Sequence, residues 1–182
     1  IISGNFPISG KTGVVTKKDG VIDEEVEEQI KDKNIAINKI KPFKIVVDTA
    51  NAMAILDIKA MFKSLKCDLI LLNSELDGSF PVHQPDPLDE KNLEILKKSV
   101  VQNNADLGIG PDGDGDRYFF IDEKGEVIRQ EILRGIMAQI ALKENPGKTV
   151  CYDILPGRIT KDMIEAVGGK ASVTRVGHSL IK

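Results

Sequence analysis

The sequence predicts an α/β fold, a mixed but mostly parallel sheet sandwiched by helices. Short runs rich in Val, Ile and Leu alternate along the 182 residues with stretches in which apolar residues recur every three or four positions. Such alternation is typical of βαβ units, whose crossover helices cover a parallel sheet. The composition, 41% hydrophobic and 29% charged, is that of a globular protein with an apolar core.

The strands and helices follow from these two patterns. The predicted strands cover residues 43–47, 69–72, 105–109, 118–121, 149–152 and 172–176. A short helix is predicted at 23–30, and Asp89 and Thr160 are predicted to cap later helices. Gly168-Gly169 is predicted to end the last helix. The apolar positions that indicate the other four helices are Ile55, Ile58, Phe62 and Leu65, then Leu93, Leu96 and Val100, then Ile132, Leu133, Ile136, Met137 and Ile140, and finally Met163, Ile164 and Val167.

The chain divides into three parts. Residues 1–42 are rich in Gly and then in charge, and show no sheet of their own. Residues 43–129 contain a self-consistent β-α-β-α-β-β series, which is enough for one sheet with its helices. A new α-β-α-β series begins at about residue 130. The sequence therefore predicts one α/β unit followed by the first part of another.

The composition excludes several classes of function. The net charge is −3, the pI is about 5.5, and aromatic residues make up 4% with no Trp, which argues against a nucleic-acid surface. No apolar run approaches the roughly 20 residues of a membrane helix, and the first residues do not resemble a signal peptide. Cys67 and Cys151 have no paired spacing and are predicted to be buried thiols of a cytoplasmic protein.

The most informative segment is Asp112-Gly-Asp-Gly-Asp-Arg117, which lies between two predicted strands. Three carboxylates within five residues repel one another unless a cation lies among them. The intervening glycines allow the chain to curl so that alternate side chains converge. Oxygen ligands of this kind suit Mg²⁺ or Ca²⁺ better than Zn²⁺. The segment therefore predicts a hard-cation site formed by Asp112, Asp114 and Asp116.

Three kinds of metal site compete for this loop. In an EF-hand, Glu123 would complete the ligand spacing, but Arg117 stands where that loop needs Gly and the flanks are predicted strands. In an Asp-x-Asp phosphatase, Asp112 would attack phosphorus, but Pro111 interrupts the strand that leads into it. In a Mg²⁺ site for phosphoryl transfer, Arg117 would hold a phosphate beside the metal. Only the third kind gives every residue of the loop a role.

Four motifs, in order along the chain, resemble the α-D-phosphohexomutase family, and in particular its phosphomannomutase/phosphoglucomutase type. The acidic loop, preceded by Gly108-Ile-Gly-Pro, resembles the metal-binding loop of that family. The other three motifs are Val46-Val-Asp-Thr-Ala-Asn51, Asp77-Gly-Ser-Phe-Pro-Val-His-Gln-Pro-Asp-Pro87 and Val176-Gly-His-Ser-Leu-Ile-Lys182. Their combination is much more specific than any one of them.

This resemblance implies a reaction and a set of site residues. Members of the family move a phosphate between the 1- and 6-positions of a hexose, through a phosphoserine and a bisphosphorylated sugar, with Mg²⁺ as cofactor. The resemblance implies that the three aspartates hold Mg²⁺ and that Arg117 is a catalytic residue. The residues that it implies for the sugar phosphate are Gly177, His178, Lys182 and Arg158.

The sequence departs from the family pattern at several positions. Ser3 is the candidate nucleophile if one residue is inserted in the alignment, whereas Gly4 takes its place without the insertion. Leu155 stands where the family often has a substrate-reaching Lys. His83 is expected only to shape its Pro-rich loop. These departures keep open a second hypothesis, a non-catalytic relative that acts as a binding or regulatory module.

The resemblance also assigns the three parts of the chain. It implies that residues 1–42 end a first domain, that 43–129 form a metal-binding second domain, and that 130–182 form the first half of a sugar-binding third domain. A whole member of the family would include more of the first and third domains and a fourth, so the 182-residue chain alone is expected not to turn over substrate. The expected partner is a phosphosugar, with no nucleic acid and no membrane.

Overall fold

The computed structural model describes residue 10, residues 13–32 and residues 35–177. Ser3, His178 and Lys182 lie outside this described part. Within it, no helix is long and apolar enough to cross a bilayer. The helices are α1 (Val21–Asp32), α2 (Ala54–Phe62), α3 (Glu94–Gln102), α4 (Gln130–Glu144) and α5 (Gly157–Glu165), and the strands are β1 (Lys44–Asp48), β2 (Asp68–Leu72), β3 (Leu107–Pro111), β4 (Tyr118–Ile121), β5 (Thr149–Asp153) and β6 (Lys170–Thr174).

The first four strands form one sheet in the order β2-β1-β3-β4. Strand β1 pairs in parallel with both β2 and β3, whereas β3 and β4 are antiparallel. Because successive side chains of a strand point to opposite faces, Val46 packs into the core on one face of β1, and Ile45 and Val47 pack on the other. The predicted mixed, mostly parallel sheet is confirmed.

Helices cover both faces of this sheet. Leu96 and Val100 of α3 pack on one face, and Ile58 of α2 packs on the other. A Cβ atom added at Gly108 of β3 would lie 2.6 Å from Cγ2 of Val100. Glycine at this position therefore allows α3 to approach the sheet closely. Helix α1 packs outside α2.

The second unit consists of the parallel pair β5-β6 with helices α4 and α5. Its core is formed by Ala138, Leu142 and Ile164. Helices α4 and α5 approach closely because Gly135 has no side chain where Met163 packs. Apolar burial in this unit is smaller than in the first.

The structure corrects two predictions about the second unit. Helix α4 forms as predicted, but Ile136, Met137 and Ile140 are exposed, because the face that packs carries Gly135, Ala138 and Leu142. Thr160 is not an N-cap. It lies inside α5, is fully buried, and donates a hydrogen bond from Oγ1 to the carbonyl of Glu131 at 2.9 Å.

Smaller corrections concern caps and thiols. Asp89 does cap, with its side chain accepting from the Lys91 amide at 3.2 Å, but it caps the 3₁₀ turn Glu90–Leu93 that leads into α3. Cys151 is exposed and Cys67 is half-buried, so the prediction of buried thiols is wrong for Cys151. Cys151 is exposed because its side chain extends from β5 on a face of the two-stranded sheet that other described residues leave uncovered.

Candidate metal centre

The acidic loop connects β3 to β4 at the carboxyl end of β3. Ligands of open α/β sheets bind at this edge, where parallel strands end and their connections begin. Pro111 does not interrupt the strand as predicted: it is the last residue of β3 and is paired with Tyr118. A proline is accommodated there because the backbone hydrogen bond that closes the loop is donated by the next residue, from the Asp112 amide to the Arg117 carbonyl at 3.0 Å.

The loop brings its three carboxylates together. One oxygen from each of Asp112, Asp114 and Asp116 can be chosen so that all three lie within 4.8 Å of one another. Asp112 is buried, whereas Asp114 and Asp116 are exposed. Gly115 allows the chain to reverse between them, since its φ of +77° is a conformation that favours glycine. Three converging carboxylates form a donor set that fits a hard divalent cation.

Asp112 is held by donors from its own loop. Its Oδ1 accepts from the amides of Gly115 and Arg117 at 3.1 and 3.2 Å, and its Oδ2 accepts from Nε of Arg117 at 2.6 Å. Burial raises the pKa of Asp112, but these hydrogen bonds and the positive charge of Arg117 outweigh it, so the pKa lies below its ordinary value. Asp112 is therefore a firmly ionised carboxylate in a fixed orientation.

Arg117 links the buried and exposed parts of the loop. Its Nε also lies 3.4 Å from Asp116, and its side chain is 56% exposed. An exposed guanidinium beside a carboxylate cluster can still offer its planar donors to a phosphate. The arrangement is suited to holding a cation and an anionic oxygen next to each other.

This geometry decides against two of the three metal sites considered. The EF-hand interpretation is wrong, because the elements that flank the loop are strands β3 and β4 and not helices. The phosphatase interpretation leaves Asp116 and Arg117 without a role, although Nε of Arg117 contacts the carboxylates of both Asp112 and Asp116. The Mg²⁺ site for phosphoryl transfer agrees with the observed contacts.

Comparison with known proteins supplies the family. A family model described as "Phosphoglucomutase/phosphomannomutase, alpha/beta/alpha domain II" matches residues 24–125, which is more than half of the chain and includes the whole four-stranded sheet and the acidic loop. The chain belongs to the phosphoglucomutase/phosphomannomutase family. The predicted family resemblance is confirmed.

Relatives in this family match most of the chain. A phosphomannomutase of Methanocaldococcus jannaschii is 40% identical over 139 residues, covering 76% of this chain and 31% of that protein. A phosphomannomutase/phosphoglucomutase of Pseudomonas putida is 39% identical over 142 residues, covering 78% of this chain and 31% of that protein. A crystal structure of a Burkholderia thailandensis family protein superposes with a TM-score of 0.81 at 32% identity, covering 88% of this chain and 34% of that one. The chain therefore spans about a third of the length of these relatives.

Two predicted sugar-phosphate residues lie in the second unit. Arg158 is in the first turn of α5, where its exposed side chain pairs with Asp162 at 3.3 Å. Gly177 follows β6 and is exposed, with a φ of +125°. Leu155, which replaces a lysine of the family pattern, is 65% exposed just after β5. The structure brings Asp112, Asp114, Asp116 and Arg117 together in the first unit, and it places Arg158 and Gly177 in the second.

The structure also shows polar residues that the sequence reasoning missed. Asp48, the last residue of β1, is buried. Its carboxylate accepts from the Ala50 amide and the Asn73 side chain, and contacts the ring of His83. A carboxylate at the carboxyl end of a buried strand, inside one of the four family motifs, is a signal that could have identified it.

Proposed function

We propose that this chain carries the metal-binding centre of a Mg²⁺-dependent phosphohexomutase that interconverts hexose 1-phosphate and hexose 6-phosphate, with mannose or glucose as the sugar. The observation that carries this proposal is the convergence of three carboxylates around a buried, hydrogen-bonded Asp112 in a loop closed by Arg117. Family membership and relatives named as phosphomannomutases and phosphoglucomutases support the sugar phosphate as substrate.

In this proposal the loop residues act by position and charge. Bound Mg²⁺ would neutralise negative charge on the transferring phosphoryl group. Arg117 keeps Asp112 ionised and fixed in orientation. Asp114 and Asp116 are exposed, so their carboxylates are accessible to a cation from solvent. Arg117 presents a planar, permanently charged donor beside the cluster, which suits the oxygens of a phosphate. Little covalent chemistry is required of these four side chains.

The remaining parts of the mechanism are proposed from the family. The phosphoryl donor would be a phosphoserine, with Ser3 as the candidate, and the sugar would pass through a bisphosphorylated intermediate. The residues proposed to bind the sugar phosphate are Gly177, His178, Lys182 and Arg158. We also propose the domain limits 1–42, 43–129 and 130–182, which the start of α4 at Gln130 supports, and a cytoplasmic location, which the two free cysteines support.

The test is a mutase assay of the whole protein that carries this chain. Turnover of mannose 1-phosphate and glucose 1-phosphate is measured with Mg²⁺ for the wild type, for Asp114→Asn, and for Asp68→Asn as a control with the same charge change on an exposed strand residue. We expect turnover that is lost in Asp114→Asn and retained in Asp68→Asn. No turnover by the wild type on either sugar, or on glucosamine phosphate, would contradict the proposal and favour a binding or regulatory module.

A further inference from the structure

Gly113 lies between two of the loop carboxylates and is contacted from two sides. Its carbonyl accepts a hydrogen bond from the Met53 amide at 3.2 Å, in the turn between β1 and α2. On another side, a Cβ built at Gly113 would lie 3.3 Å from Cγ of Pro85, so the backbone and the proline ring are close neighbours. The conformation of the acidic loop therefore depends on the β1–α2 turn and on the segment 81–87.

Asp48 contacts both the β1–α2 turn and the segment 81–87. Its Oδ1 accepts from the Ala50 amide at 3.0 Å, at the start of the β1–α2 turn. Its Oδ2 lies 3.1 Å from Nε2 of His83, two residues before Pro85. The side chain of Asp48 is 2% exposed and that of His83 is 14% exposed, so water competes little for this contact.

The His83 ring lies between two hydrogen-bond acceptors. Nδ1 of His83 lies 3.0 Å from the carbonyl oxygen of Gln84, while Nε2 faces Asp48. Both neighbours are acceptors, and a neutral ring carries one N–H, so it can donate to only one of them at a time. When Nε2 carries the proton, it donates to Asp48 and so connects the segment 81–87 to the end of β1.

The β1–α2 turn has an unfavourable backbone conformation that surrounding contacts must stabilise. Ala50 and Asn51 have φ values of +48° and +61°, and Asn73, which donates to Asp48 at 2.9 Å, has +48°. Residues other than glycine adopt this conformation at a cost and keep it only where surrounding contacts determine it. Asp48 contributes two of these contacts, through the Ala50 amide and the Asn73 side chain.

We propose that Asp48 and His83 are positioning residues for the metal centre: they hold the β1–α2 turn and the segment 81–87 against Gly113, and so set the spacing of Asp112 and Asp114. This inference rests on the proposed function, because it assumes that the loop binds Mg²⁺. Replacing a partner that hydrogen-bonds a metal ligand directly commonly changes metal affinity by about 10- to 100-fold. Asp48 and His83 act through Gly113, so the lower end of this range is expected.

The test measures Mg²⁺ affinity of the 182-residue chain by calorimetry, together with its thermal midpoint without metal. His83→Phe keeps the ring volume and removes the donor to Asp48, whereas His83→Gln keeps a donor amide. We expect His83→Phe to bind Mg²⁺ about 10-fold more weakly than the wild type, and His83→Gln to recover part of that loss. Thr160→Val is the control, because it removes a buried hydrogen bond in the second unit and should lower the midpoint without changing Mg²⁺ affinity.

The outcomes separate this inference from the proposed function. If the wild-type chain binds no Mg²⁺, or if Asp114→Asn binds as well as the wild type, the proposed metal site fails. If the wild type binds and a folded His83→Phe binds equally well, the metal site stands and the positioning role is overturned. If His83→Phe does not fold, Pro85→Gly decides the matter, because it removes the contact with Gly113 without touching Asp48. Unchanged affinity in Pro85→Gly would also overturn the inference.

Discussion

Asp112 and Asp114 lie two residues apart in the same loop, yet the structure predicts that replacing each by Asn has a different consequence. Asp112 is buried and accepts three hydrogen bonds, whereas Asp114 is exposed. In Asp112→Asn the new amide can keep one oxygen toward the backbone amides, but its NH₂ group then faces Nε of Arg117, which is also a donor. Both substitutions remove a negative charge, so charge alone does not distinguish them.

The size of the effect follows from the lost contact. A hydrogen bond to a charged group contributes about 1.5–3 kcal/mol to stability, and here the partner, Arg117, is 56% exposed and partly screened by solvent. We therefore expect Asp112→Asn to lower the free energy of unfolding by about 1–2 kcal/mol in the absence of metal. Asp114→Asn should leave it unchanged or raise it slightly, because one of three mutually repelling carboxylates is removed.

The assay is urea denaturation of the 182-residue chain in a chelator, followed by far-UV circular dichroism. Chelation is required because bound metal would stabilise the wild type by mass action and add to the difference. An Asp112→Asn chain as stable as the wild type under these conditions would refute the assignment of Asp112 as the residue that holds the loop together. Equal destabilisation by Asp114→Asn would refute it as well, since that result would show a general effect of the loop charge.

Three further outcomes are expected. The pKa of Asp112 in the folded chain lies below its ordinary value of 3.8. Ionised Asp112 therefore stabilises the fold above pH 3.8, and this stabilisation is lost as the pH falls through the folded-state pKa. Asp112→Asn should flatten this acid limb of the pH–stability curve. Gly108→Ala should lower the free energy of unfolding by about 1–3 kcal/mol through its clash with Val100, whereas Gly78→Ala, with open space around it, should have little effect in the same denaturation assay. The 182-residue chain should bind Mg²⁺ without mutase turnover, and turnover by this chain alone would contradict the proposed division of the site among domains.

The sequence predicts those features correctly whose determining residues lie close together along the chain. Strand β4, Tyr118–Ile121, has the predicted bounds because its continuous apolar run lies between two turns. The carboxylate cluster was predicted for the same reason: its members are separated by single glycines, so a tight turn brings their side chains near one another. β3 begins and ends two residues later than the predicted 105–109, because its antiparallel pairing with β4 continues through Pro111.

The periodicity of apolar residues predicted the wrong packed face for α4, because the size of the side chains also decides which face packs. Ile136 and Ile140 of α4 lie at helical spacing and are large apolar residues, but they are exposed. The helix packs instead through Gly135, Ala138 and Leu142, and the absence of a side chain at Gly135 allows Met163 of α5 to approach the helix axis. A hydrophobic stripe in the sequence indicates an amphipathic helix. It does not identify the face against which another helix packs.

The contact between Asp48 and His83 joins residues 35 positions apart, and no spacing in the sequence indicates it. It arises because β1 lies next to β2 in the sheet, so the segment that follows β2 returns over the carboxyl end of β1. Each residue considered alone has an ordinary explanation, an aspartate after a strand and a histidine in a proline-rich loop. Their common neighbour is Gly113, which lacks a side chain and can be held by a backbone hydrogen bond on one side and a proline ring on another. The proposed metal ligands are therefore encoded locally, whereas the contacts that would set their spacing depend on the sheet topology.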